Sequence, residues 1–179
     1  MLSGGFIARI RERIGKLDKD ILRELVLRFA EEREFFEVIL NSMTEGVLVT
    51  DEQDRVQYAN RTAARLLGRS IRDLRGNPVL EGIESIDFYN LVKRAFGNNE
   101  RVRNKEVSLY YPADRILNVN IFPLMSGTDI SGRVVIFMDI TQEQEEEQRL
   151  RRAESMAALS SITAGIAHEI KNPLGALDI

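Results

Sequence analysis

The 179-residue sequence has no cysteine, a single histidine and no apolar run longer than a few residues. Without cysteine there is no disulfide framework and no mark of an oxidising compartment. There is also no thiol for a flavin-cysteinyl photoadduct or a thioester-linked chromophore. The apolar runs fall far short of the roughly 20 residues that cross a bilayer, and no signal-peptide pattern precedes them. The expectation is a chain without a membrane span, read as cytoplasmic. An excess of one sign of charge is missing too: the net charge is -3 and the pI is near 5.4, leaving no electrostatic footprint for nucleic acid or anionic lipid. Arg9, Arg11 and Arg13 cluster near the start, but acids are soon interleaved, as on a solvated helix face.

The one histidine, His168, stands in the most strongly patterned stretch, residues 157–177. Leu159, Ile162, Ile166, Ile170, Leu174 and Leu177 recur at spacings of three and four, the pattern of a helix with one apolar stripe. At about 100° per residue His168 falls roughly 180° from that stripe, and Asn172 lies one turn further along the same side. The imidazole is predicted to face solvent. A zinc protease is excluded, because the second imidazole of HExxH is replaced by Asn172, and nothing positions His168 in a hydrolase triad. No metal site is expected. Upstream, Thr141-Gln142-Glu143-Gln144 reads as a capping box that starts a helix. Glu143, Glu145, Glu146 and Glu147 crowd its positive end, and Glu145 with Arg149 and Glu147 with Arg151 are spaced as helical ion pairs. The thin stripe Leu150, Ala153, Ala157 then slides in phase toward Leu159 and Ile162, with no flexible Gly/Ser linker between them.

Residues 6–43 are also helical in pattern. Ile7, Ile10, Ile14, Leu17 and Ile21 keep near-heptad spacing, and Leu25, Phe29, Phe36, Ile39 and Met43 continue the stripe after a phase shift. Gly15 and Asp18 are places for a break, with Asp18 or Asp20 capping a second helix, so one helix or two both fit. Either way the stripe needs a partner, from another subunit or from the next domain. From residue 45 the texture changes. Residues 46–50 and 55–59 read as a hairpin about a polar turn, Asn60 caps a short helix closed by Gly68, and Ser70 with Asp73 caps another. A helix over 86–96 turns Phe88, Leu91, Val92 and Phe96 inward. Strands follow at 105–111, 115–125 and 132–140, joined by Pro112-Ala113-Asp114 and a loop over 127–132. Two strands, helices, then three strands is an α+β order.

Two stretches resemble known families. The string HEIKNPL, His168 to Leu174, closely resembles the H-box of sensor histidine kinases of two-component systems. The phrases EGVLVTDEQDRVQYANRTAARLLG and GRVVIFMDIT, the latter holding Asp139-Ile140-Thr141, resemble the opening and closing segments of a PAS domain. The PAS resemblance implies a five-stranded antiparallel sheet with helices over one face, in a dimerising sensor module. The combined expectation is a helical segment over 1–44, a PAS domain over 45–140, and a signalling helix over 141–179 that enters the first helix of a dimerisation and phosphotransfer domain. The H-box resemblance implies that His168 takes the γ-phosphoryl group of ATP and passes it to an aspartate of a response-regulator receiver domain. It also implies that Glu169 orients the ring and takes its other proton, and that Asn172 positions a water to hydrolyse the phosphorylated regulator. Pro173 is expected to bend the helix, or to end it. ATP and Mg²⁺ would be used by an ATP-binding domain not present in these residues, so this chain alone is expected not to autophosphorylate.

Asp139 and Thr141 are expected to relay a shift of the last strand into a paired, parallel helix of a homodimer. The lone histidine lies beyond the PAS segment, which excludes a haem with a proximal imidazole there. A noncovalent flavin or metabolite would have to use Val47, Val49, Tyr58, Leu66, Phe88, Leu91 and Phe122, with Asn118 and Asn120 as the polar pair; the competing reading is that these residues simply pack as core. In a different functional class, the same residues fit a stand-alone PAS scaffold that assembles partners and never handles phosphate.

Overall fold

The structure, a computed structural model, describes residues 19–174, with side chains through Ala157 together with that of Leu159. The expected helix before residue 19, including Asp18, lies outside the described residues. Helix α1 runs over Lys19–Ser42, with Asp20 in its first turn. None of its side chains is buried: Leu25, Phe29, Phe36 and Ile39, the stripe read from the sequence, are all exposed.

Strands β1 (Gly46–Asp51) and β2 (Val56–Ala59) form a hairpin, followed by α2 (Arg61–Leu66), α3 (Ile71–Leu74) and α4 (Ile86–Gly97). Strands β3 (Val102–Leu109), β4 (Arg115–Ser126) and β5 (Asp129–Asp139) complete the sheet, and α5 runs over Thr141–Leu174. The sheet order is β2-β1-β5-β4-β3, with every neighbouring pair antiparallel. First and last strands therefore lie side by side. The chain divides into two units, one ending at Asp139 and the other beginning at Ile140.

Each short helix starts on a side chain that accepts from its first turn. The Ala63 N–H donates to Asn60 Oδ1 at 2.8 Å, and the Phe88 N–H to Ser85 Oγ at 3.3 Å. At α3 the Asp73 N–H donates to Ser70 Oγ (3.1 Å) while that hydroxyl donates to Asp73 Oδ2 (2.7 Å). Period-2 alternation then sets the core. Leu48, Val119, Ile121, Val135 and Phe137 turn to one face and pack against Leu66, Leu74, Phe88, Leu91 and Val92 from α2, α3 and α4. Phe88 and Phe137, both fully buried, meet edge to face with ring centroids 5.7 Å apart. Burial of such a ring contributes on the order of 3 kcal/mol.

Some boundaries differ from the sequence expectation. Strand β3 begins at Val102 rather than 105, because Val102 pairs with Ile121 across an irregularity at Arg103 and Asn104, the latter at φ 48°. The loop expected over 127–132 shrinks to the two residues Gly127 and Thr128, since Ser126 already pairs with Asp129 and Gly127 (φ 67°) makes the tight turn. Gly132 thus lies inside β5, where a Cβ would stand 2.0 Å from the Thr50 carbonyl oxygen; glycine permits the β1 pairing. Helix α5 takes its first carbonyl from Ile140, which accepts from the Gln144 N–H at 3.0 Å. Thr141 is therefore the first helical residue rather than the cap.

Candidate functional site

The exit from the sheet is built first. Asp139 ends β5, opposite Leu117 of β4, and its carboxylate accepts from the guanidinium of Arg115, the first residue of β4. Both side chains are partly buried, which strengthens an ion pair relative to one in open water. The pair fixes the last residue of the sheet, and one residue, Ile140, separates it from α5. That helix is 34 residues long and carries the expected pairs Glu145–Arg149 (3.5 Å) and Glu147–Arg151 (2.5 Å). Its backbone stays helical through Pro173 to Leu174, so positions 168 and 172 lie one turn apart on one side of it. The side chains of His168, Glu169, Asn172 and Pro173 lie outside the described residues. Among the described residues, no helix is long and apolar enough to cross a membrane.

The ligand pocket expected from Tyr58, Phe88, Asn118, Asn120 and Phe122 does not assemble, because the sheet runs between its members. Tyr58 pairs with Val49, Val49 with Val134, and Val134 with Phe122, which puts Tyr58 and Phe122 on one face. Asn118 and Asn120 share that face through Met138 and Ile136. Phe88, with Leu66 and Leu91, packs on the opposite face against Phe137. The register decides the matter: residues of opposite parity cannot line one cavity on a two-faced strand.

The polar pair also has structural work. Asn120 Nδ2 donates to Asn118 Oδ1 at 3.2 Å, and Asn120 Oδ1 accepts from the Asn104 N–H at 2.9 Å, so Asn120 braces the irregular start of β3. Tyr58 faces Glu37 of α1 electrostatically; burial raises its hydroxyl pKa, the Glu37 charge raises it further, and Arg75 offsets part of this. A surface groove of 650 Å³ between α4 and β3 is lined by both signs of charge, Asp87 and Glu106 against Lys93, Arg94 and Lys105.

Sequence reasoning passed over Arg133. Its guanidinium is buried on the core face, donating to Asp54 Oδ1 (2.5 Å), to the Phe96 carbonyl (2.9 Å) and to Asn99 Oδ1 (2.6 Å), and it stacks 4.6 Å from the Phe96 ring centroid. One side chain thus ties β5 to the β1–β2 turn and to the end of α4. Burial raises the Asp54 pKa, the Arg133 charge draws it partly back, and nearby Asp51 adds to the rise. The signal was present: in a strand of period 2, Arg133 shares the parity of the inward Val135 and Phe137.

The family model of the PAS fold matches residues 34–140. The chain is 27% identical over 173 residues, 92% of its length, to the signal transduction histidine-protein kinase AtoS of Escherichia coli (strain K12). It is 33% identical over 141 residues, 78% of its length, to the sensory histidine kinase/phosphatase NtrB of Salmonella typhimurium. It spans 27% of the first relative and 39% of the second. The AtoS match is too long to be held within residues 34–140 and the segment before them, so it continues into α5. Among solved structures, the PAS domain of an HTR-like protein from Haloarcula marismortui is similar with a TM-score of 0.51 at 15% identity, covering 66% of this chain and 99% of that one, a likeness of fold alone.

Proposed function

The chain belongs to the PAS family, and from that premise we propose that it is the sensory and phosphoacceptor part of a two-component histidine kinase. The observation that carries the reading is the string His168 to Leu174 on the helix that leaves the PAS sheet one residue after Asp139. Similarity to a named sensor histidine kinase that runs past residue 140 supports it. In the proposed reaction a ring nitrogen of His168 attacks the γ-phosphorus of ATP, the bond to the ADP oxygen breaks, and Glu169 takes the proton from the other ring nitrogen. The phosphoryl group then passes to an aspartate of a receiver domain, the N–P bond breaks, and the proton returns from Glu169 to restore the neutral imidazole. A neutral imidazole is a competent nucleophile near pH 7, and phosphoryl transfer asks mainly for in-line positioning. Asn172 would position the water that hydrolyses the phosphorylated regulator, and Pro173 would bend the helix beside the acceptor.

ATP and Mg²⁺ belong, in this reading, to an ATP-binding domain of the parent protein, which acts in the cytoplasm. The chain works as a parallel homodimer. Exposed Phe29, Phe36 and Ile39 on α1 and exposed Leu150 and Leu159 on α5 support pairing, since such side chains are normally covered in an assembly. Asp139 and Thr141 relay a shift of β5 into α5, whose rotation or change of register presents His168 to the kinase domain or withdraws it.

The same exposed stripes favour a second reading, a PAS scaffold that only assembles partners. The two part on one experiment. The chain is incubated with labelled ATP and the separate ATP-binding domain of a related kinase. The proposal expects acid-labile, base-stable label on the chain that disappears in His168→Ala; no label on the wild-type chain favours the scaffold.

A further inference from the structure

The last turn of α1 and the first turn of α2 cap one another. The final carbonyls of a helix and the first N–H groups of the next have no partners within their own helices. Here each helix supplies the other. Asn60, the cap of α2, donates from Nδ2 to the Leu40 carbonyl of α1 at 2.8 Å, and Asn41 of α1 accepts the Arg61 N–H of α2 at 2.9 Å. Thr62 Oγ1 donates to the Met43 carbonyl at 2.9 Å. The negative end of one helix dipole thus meets the positive end of the other.

Asn60 does more than cap. It is fully buried, and its amide makes four bonds, the full capacity of that group. Oδ1 accepts from the N–H groups of Ala63 and of Val47 in β1 (2.8 and 2.9 Å), while Nδ2 donates to the Leu40 and Glu45 carbonyls (both 2.8 Å). Two N–H partners on one side and two carbonyls on the other allow only one orientation of the amide, and no other side chain of this size offers two acceptor and two donor sites. Val47 in turn pairs with Ile136 of β5. Since no described side chain of α1 is buried, polar bonds at its final turn hold this helix where an apolar seam does not.

We propose that Asn60, reciprocated by Asn41 and Thr62, is the joint that sets the direction of α1 relative to strand β1 and passes a displacement of that helix into the sheet. Asn60→Asp divides the joint by chemistry. The carboxylate still accepts from Val47 and Ala63, so α2 and β1 keep their bonds, but it has nothing to donate and sets negative charge against the Leu40 and Glu45 carbonyls. The joint involves no phosphate, so its failure and that of the phosphoacceptor reading are separate results.

The absence of native cysteine makes the test direct. Spin labels at Arg28→Cys on α1 and Arg72→Cys on α3, both exposed, report the helix-to-domain distance in the 179-residue chain diluted with unlabelled protein. The parent should give one narrow distance distribution, and Asn60→Asp a broad or displaced one with the thermal transition of the sheet retained. Asn41→Ala, which removes only the reciprocal acceptor, should give an intermediate broadening. If Asn60→Asp fails to fold, Asn41→Ala and Thr62→Val decide by the same measurement. Distributions in the folded variants indistinguishable from the parent would overturn the joint.

Discussion

At the scale of single residues, the structure separates side chains that share a chemistry. Arg133 and Arg115 both reach a carboxylate, but only Arg133 is buried to the point where its loss strands other groups. Replacing it with methionine keeps much of the volume while leaving the Phe96 carbonyl and Asn99 Oδ1 without their donor. We expect a loss of about 1–3 kcal/mol in denaturant unfolding, the usual cost of leaving a buried acceptor such as the Phe96 carbonyl without its donor. Asp54→Asn keeps an acceptor at a half-exposed position and should cost about 1 kcal/mol or less by the same measurement. Equal losses in the two variants would mean that the ion pair, rather than the three-way tie, is what Arg133 provides. Asn60 and Arg133 illustrate a limit of reading side chains one at a time. The sequence marked Asn60 as a cap, which it is, but its bonds to Leu40 and Glu45 depend on where a distant helix ends.

Among elements, the caps and the inward positions were the most legible. Asn60, Ser70 with Asp73, and the inward set Phe88, Leu91, Val92 and Phe96 follow from local chemistry that tertiary packing leaves intact. Strand limits were less so, because β3 starts across a bulge and β5 runs through Gly132, features set by pairing partners rather than by composition. The expected pocket failed for the same reason: helix and strand periods identified apolar residues, but only the register assigns them to faces. The β1–β2 turn carries a pH signature of its own. Desolvation pushes the Asp51 carboxyl up, yet bonds from the Arg55 N–H, the Gln57 side chain and the Gln53 N–H outweigh it and hold its pKa below the ordinary value. A depressed carboxyl adds stability above its unfolded pKa of about 3.9, and that share is lost as pH falls through the lower folded value. Unfolding of the wild type and Asp51→Asn, compared at neutral pH and below pH 4, should show the difference between them shrink on acidification. A constant difference would place the effect of Asp51 in the geometry of the turn alone.

For the whole molecule, one helix, Thr141–Leu174, leads from the PAS sheet to the position of the histidine. At 1.5 Å per residue about 40 Å of α5 separates Thr141 from His168, the length over which the proposed lever would carry a rotation at Asp139. This much was legible in the string His168 to Leu174, whose resemblance to an H-box, rather than the composition, marked the histidine. The parallel homodimer expected from the sequence is a matter of surfaces that one chain does not contain, and it stays a proposal. The central claim is that the phase of α5 between sheet and histidine governs phosphorylation. The most direct measurement is the rate at which His168 is labelled by a separate ATP-binding domain in chains with four or seven residues inserted beside Arg152. Seven residues restore the heptad phase to within about 20° and should leave the rate near that of the parent chain, whereas four shift the seam and should change it. Equal rates in all three chains would contradict a rigid helical lever.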